Sequence, residues 1–184
     1  MHTEIPKHNP TTRRVDSPRP TEPTSALAAL IEGNHRYLEW LSAGCPIDGE
    51  ACAQLTFPRR PFALALVEPM SPPLTPRLFS RSHHDVVMVD ALERALSFAT
   101  EHDFKLIVVL TPMRDILLQP TALWTASERA AFDRVEQFLR RSPAVRQRIL
   151  DGKSRVVAAL LEETTSRVRW LGEHPDNECL AQGA

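Results

Sequence analysis

The chain has 184 residues, 42% apolar and 24% charged, which is enough for one well-buried domain and too little for two. A formal net charge of -1 removes the electrostatic reason to expect nucleic acid or an anionic membrane surface as a partner, and no apolar run approaches the ~20 residues of a membrane span. Three scattered cysteines, Cys45, Cys52 and Cys179, read as free thiols, and the N-terminus lacks the apolar core of a secretory signal, so the expected compartment is the cytoplasm.

Residues 1–24 read as a disordered leader. Five of them are proline and almost none is large and apolar, so folding would bury too little surface to offset the entropy of ordering. Four basic and three acidic groups nearly balance, which argues against a nucleic-acid arm. Thr24 and Ser25 are candidate N-caps for a helix to Ala43, with Leu27, Leu30, Ile31, Leu38 and Leu41 at helical spacing and Gly44 and Pro46 as its stop. The loop through Arg60 holds Cys45 and Cys52, whose spacing makes a poor metal pair. Phe62–Val67 is a continuous apolar run, as in a buried parallel strand, and four prolines between Glu68 and Pro76 demand a stiff loop after it.

A second strand is expected at Asp85–Val89, a helix from Asp90 to His102, and a central strand at Leu106–Leu110. That strand runs into Thr111, Pro112, Met113, Arg114 and Asp115, at the strand end where α/β sheets place their ligands. Thr125 and Glu128 have capping-box spacing for a helix burying Ala131, Val135, Phe138 and Leu139. Ser142-Pro143 restarts a shorter helix that Gly152 ends. Val156–Leu161 and Val168–Leu171 read as a strand and its antiparallel hairpin partner. The polar remainder from Gly172 to Ala184 reads as a loose tail. Strands alternating with helices predict an α/β fold with helices on both faces: a mostly parallel four-stranded sheet plus an antiparallel edge strand.

Taken together these stretches resemble the β-class carbonic anhydrases over Ser25–Leu171. Glu32-Gly33-Asn34-His35-Arg36-Tyr37 is similar to that family's E-G-N-R-R-F segment, Pro61-Phe62-Ala63-Leu64 to the start of its first strand, and Ile107-Val108-Val109-Leu110 to its central I-V-V-L. Ser142-Pro143, Val145, Gly152-Lys153 and Val156-Val157 follow its S-P-x-V…G-K-x-x-V-V pattern. The resemblance implies a zinc held by two cysteines and a histidine beside an Asp-Arg pair. It also implies a dimer embraced by the N-terminal helix. The C-x-D-x-R positions here are Glu68, Met70 and Pro72, and the histidine and second cysteine of G-H-x-x-C-G fall on Pro112 and Asp115. Every ligand position (Glu68, Pro112, Asp115) and both dyad positions (Met70, Pro72) are therefore replaced. Without thiolate and imidazole ligands nothing would bring the pKa of a bound water down to about 7. A family loop of about a dozen residues after the second strand is also missing, since Val89 leads straight into Asp90.

The expectation is thus a β-carbonic-anhydrase-like domain over 25–171 with no zinc and no other cofactor. It would act as a catalytically silent pseudoenzyme through self-association or through pairing with an active paralogue or a larger assembly. The helix residues Leu27, Leu30, Ile31, Tyr37, Leu38 and Leu41 are its candidate dimer arm. The alternative is an enzyme or small-anion sensor, with Arg114 as anion ligand and carbonic-anhydrase-type lyase chemistry as the nearest class. Glu68 and Asp115 could hold an oxygen-loving metal, but an ion pair of Arg114 with either is the preferred reading. His83 and His84 read as surface residues near a pocket rim, Trp40, Trp124 and Trp170 as packing residues, and Arg140-Arg141 with Arg146 and Arg148 as a solvated helical face.

Overall fold

The structure, a computed structural model, describes residues 19–44, 60–69, 74–79, 81, 84–113 and 125–183. Helix α1 spans Pro23–Ser42, with its N-cap two residues before the first expected one, Thr24. Proline at the first helical position has no N–H to lose, so the helix opens there with Glu22 as N-cap. Ser25 serves one turn inside, its hydroxyl accepting from the Glu22 N–H at 3.3 Å and donating to the Glu22 carbonyl at 2.9 Å. Order therefore reaches back into the segment expected to be leader: Pro20 and Pro23 are buried, and the Arg19 guanidinium donates to the Arg60 carbonyl.

Strands β1 (Ala63–Val67), β2 (Val86–Val89), β3 (Leu106–Pro112), β4 (Arg155–Glu162) and β5 (Arg167–Gly172) form one sheet in the order β2-β1-β3-β4-β5. The first four are parallel and β5 returns antiparallel to β4. This is the expected sheet. Helices α2 (Leu92–Glu101), α3 (Ala126–Arg141) and α4 (Pro143–Leu150) lie where periodicity puts them, and the Thr125–Glu128 capping box forms in both directions at 3.2 and 2.8 Å. Alternation along the strands feeds two cores. Leu64, Leu66, Ile107, Val109 and Leu160 meet α2, α3 and α4, whereas Ala63, Ala65, Val108, Leu110 and Leu161 meet α1 and the 3-10 turn Pro76–Phe79.

Three expectations change. The central strand does not stop at Leu110, because β4 runs on to Glu162 and pairs Thr111 with Leu160 and Pro112 with Leu161. Pro112 cannot donate, but it is the last residue of its strand, and the next N–H, Met113, supplies a bond to the Leu161 carbonyl at 2.8 Å. The segment after Gly172 is not loose: α5 (Asn177–Gln182) inserts Leu180 and Ala181, 5% and 4% exposed, against the α3–α4 side. The buried face of α1 is also rotated from the apolar stripe, comprising Pro23, Ala26, Leu30, Gly33 and Asn34. The cause is a backbone contact, since a Cβ at position 33 would fall 1.9 Å from the Phe79 carbonyl oxygen and only glycine fits. Among the described residues no helix is long and apolar enough to cross a membrane.

Candidate functional site

The chain enters the sheet at β1, steps to β2 on one side and crosses to β3 on the other. The topological switch point, where open α/β sheets bind ligands, therefore lies between the carboxyl ends of β1 and β3. Val67 pairs with Leu110, so Glu68, the first residue past β1, lies beside Thr111 of β3. The sheet thus brings together two of the sequence-predicted positions, Glu68 and Pro112. Met70, Pro72, Arg114 and Asp115 lie outside the described residues, as do His83, Cys45, Cys52 and Trp124.

Arg114, the expected partner, lies outside the described residues, and another arginine meets Glu68. Its carboxylate receives Arg134 of α3 at 2.8 Å, with the two side chains 21% and 25% exposed. Partial burial makes this pair worth more than a surface contact, and it bridges the end of β1 to the helix layer. Pro112 is buried within β3 and has no side-chain donor atom. Beside it the Thr111 hydroxyl is buried with no hydrogen-bond partner among the described residues. A shallow cleft of about 210 Å³ adjoins this edge between the ends of β1 and β2, lined by Glu68, Leu74, Met88, Asp90 and Arg94. That volume is below the roughly 300 Å³ at which ligand pockets begin, so only a small molecule or ion would fit. Arg94 and Asp90, both more than half exposed, pair across it at 3.6 Å.

The two described positions, Glu68 and Pro112, offer zinc a poor donor set. Of the two, a proline has nothing to coordinate with, and the Glu68 carboxylate is paired with an arginine. Among the described residues no three His, Cys, Asp or Glu side chains group as a metal site. His84 is exposed at the amino end of β2, at the opposite end of the strands from Glu68. Burial lowers the pKa of nearby Arg81, partly opposed by Asp85, with Arg36 adding to the lowering. Trp170 packs as expected, its ring 6.0 Å from Phe79, whereas Trp40 is 46% exposed near the end of α1.

Two residues that give the E-G-N segment its look of a motif turn out to hold the fold together. Gly33 admits the Phe79 backbone. Asn34, 1% exposed, donates to the carbonyls of Leu78 and Ser166 and accepts from the Val168 N–H, each at 3.1 Å. It fastens α1 to the 3-10 turn and to the β4–β5 hairpin. The pairing of Arg134 with Glu68 left no trace in the sequence, because 66 positions separate them and no helical or strand spacing links them.

No family model matches the sequence, and no curated protein matches it. Among solved structures the chain is similar to a Coccomyxa β-carbonic anhydrase in complex with acetazolamide (15% identity, TM-score 0.42, 79% of this chain and 86% of that one). It is also similar to a tetrameric β-carbonic anhydrase from the filamentous ascomycete Sordaria macrospora (13%, 0.47, 80% and 98%). A third likeness is to the β-carbonic anhydrase CafA of the fungal pathogen Aspergillus fumigatus (11%, 0.51, 86% and 94%). With so little identity the last of these shows a shared fold: a mostly parallel sheet with an antiparallel edge strand, flanked by helices, over nearly the whole of both chains.

Proposed function

We propose that this protein is a β-carbonic-anhydrase-like pseudoenzyme, without hydration activity, that acts through association. The observation that carries the reading is the state of the switch point: Glu68 bound to Arg134 at 2.8 Å, next to a proline built into the sheet. A site in this condition holds no zinc and activates no water. The test is metal content by mass spectrometry after growth with added zinc and manganese, followed by a CO2 hydration assay. Less than about a tenth of an equivalent of any transition metal is expected, as for a chain without a closed ligand set. Near one zinc per chain, with hydration activity, overturns the proposal.

Association, with a second copy first and an active paralogue or larger assembly next, draws support from α1. Leu30 is consumed by the chain's own core, but Leu27, Ile31, Tyr37 and Leu38 remain half-buried, and Trp40 and Leu41 are 46% and 40% exposed on the last turn. Large apolar side chains left at one helix end mark a contact surface. Light scattering on the eluting peak decides the matter: a dimer at micromolar concentration is expected, and a monomer refutes it. The cleft beside Arg94 favours a second reading, a small-anion sensor. Its signature would be a rise in melting temperature with bicarbonate or phosphate that Arg94→Ala abolishes.

A further inference from the structure

Helix α1 is pinned to the 3-10 turn at two points. Gly33 lies against the Phe79 backbone, and the Asn34 amide donates to the Leu78 carbonyl at 3.1 Å. Arg36 follows Gly33 by three residues, so it stands on the same face of the helix one turn further on. The chain leaving the turn carries Arg81. Its N–H donates to the Pro76 carbonyl at 3.2 Å, and its guanidinium lies over the Phe62 ring, 5.8 Å from the centroid. Two cations are thereby brought together at the amino end of the sheet, beside Phe62 and Asp85 and a strand's length from Glu68.

Both arginines are half-buried, and neither guanidinium has a carboxylate within ion-pair distance among the described residues. The Arg81 Nε is buried without a hydrogen-bond partner among them. Asp85 attracts Arg81 from further off, but burial and the like charge of Arg36 outweigh it, and the Arg81 pKa falls. A guanidinium does not shed its proton in a protein, so an arriving anion is what can offset its desolvation. Two arginines against one carboxylate leave a net positive charge, and exposed His84 beside Asp85 adds nothing negative.

We infer that Arg36 and Arg81 form a receptor for a phosphate dianion, either free or at the end of a small phosphomonoester. A phosphoryl group carries two charges and three strong acceptor oxygens, enough to accept from both guanidinium forks at once. The Phe62 ring fixes the plane of Arg81 before the ligand arrives, so less side-chain freedom is lost on binding. Bicarbonate, with a single charge, gains less from the same pair. The site lies at the other end of the strands from the switch point and stands whether or not the chain associates.

The experiment is equilibrium dialysis of the full chain at about pH 8, where a phosphomonoester is doubly charged, against inorganic phosphate, phenyl phosphate and bicarbonate. Phosphate should bind with a Kd below about 1 mM, and bicarbonate more weakly. Tighter binding of phenyl phosphate assigns the site to a phosphomonoester, and tighter binding of inorganic phosphate to the free ion. Arg36→Gln lies on a helix surface and should keep the fold by circular dichroism. It should weaken binding roughly 10- to 100-fold, from lost charge-assisted hydrogen bonds. Arg81→Lys keeps the charge but not the fork, and should weaken it by a similar factor. No binding up to millimolar phosphate overturns the inference, as does wild-type affinity in Arg36→Gln. Binding that Arg94→Ala removes while Arg36→Gln does not places the anion in the cleft between β1 and β2 and overturns it as well. Should Arg81→Lys misfold, Arg36→Gln decides alone.

Discussion

Replacing Asn34 tests whether the most motif-like segment of this chain serves the fold. Its amide makes three hydrogen bonds of 3.1 Å at a position 1% exposed. In Asn34→Ala the buried Val168 N–H loses its acceptor, at a cost of about 1–3 kcal/mol. The Leu78 and Ser166 carbonyls lose a donor each, which is cheaper because a carbonyl keeps a second lone pair, so the sum is about 3 kcal/mol. With a urea slope of about 2 kcal/mol/M, the unfolding midpoint should fall by about 1.5 M. Asn34→Asp should be worse at neutral pH. It keeps the acceptor for Val168 but turns both donor contacts into oxygen against oxygen and buries a charge. Equilibrium urea denaturation followed by tryptophan fluorescence measures this directly. A midpoint shift under about 0.3 M would refute the structural account and return the segment to ligand binding or catalysis.

Gly33→Ala forces a methyl against the Phe79 carbonyl at 1.9 Å, where backbone must move. It should cost about 2–3 kcal/mol in the same assay, and a neutral result would mean that α1 does not sit on the 3-10 turn. A double-mutant cycle with Glu68→Gln and Arg134→Met should give a coupling of about 1 kcal/mol for the partly buried pair at 2.8 Å. Zero coupling would remove the ion pair from the switch point. Leu180→Ala should cost about 2–3 kcal/mol if α5 is packed as described, against under about 0.5 kcal/mol for a loose tail.

The amino-acid sequence by itself determined the elements and their class. Continuous apolar runs such as Ile107–Leu110, a capping box at Thr125–Glu128 and a proline-started helix at Pro143 are local signals, written in neighbouring residues and read without knowing the fold. It also marked Glu68 and Pro112 as candidate site positions, because each stands at the end of a recognisable strand. Only the tertiary structure decided where those strands stop and what their ends touch. β3 continues through Pro112 because β4 is long enough to pair with it, and Leu180 is buried because α5 reaches the α3–α4 layer. Arg134 reaches Glu68 because a crossover lays α3 over the sheet, a partnership of residues 66 apart. The rotation of α1 is set in the same way by a backbone oxygen of Phe79 meeting a missing Cβ. Propensity and periodicity act over a turn or a strand, whereas pairing, close approach and charge neutralisation act across space, where sequence distance carries no signal.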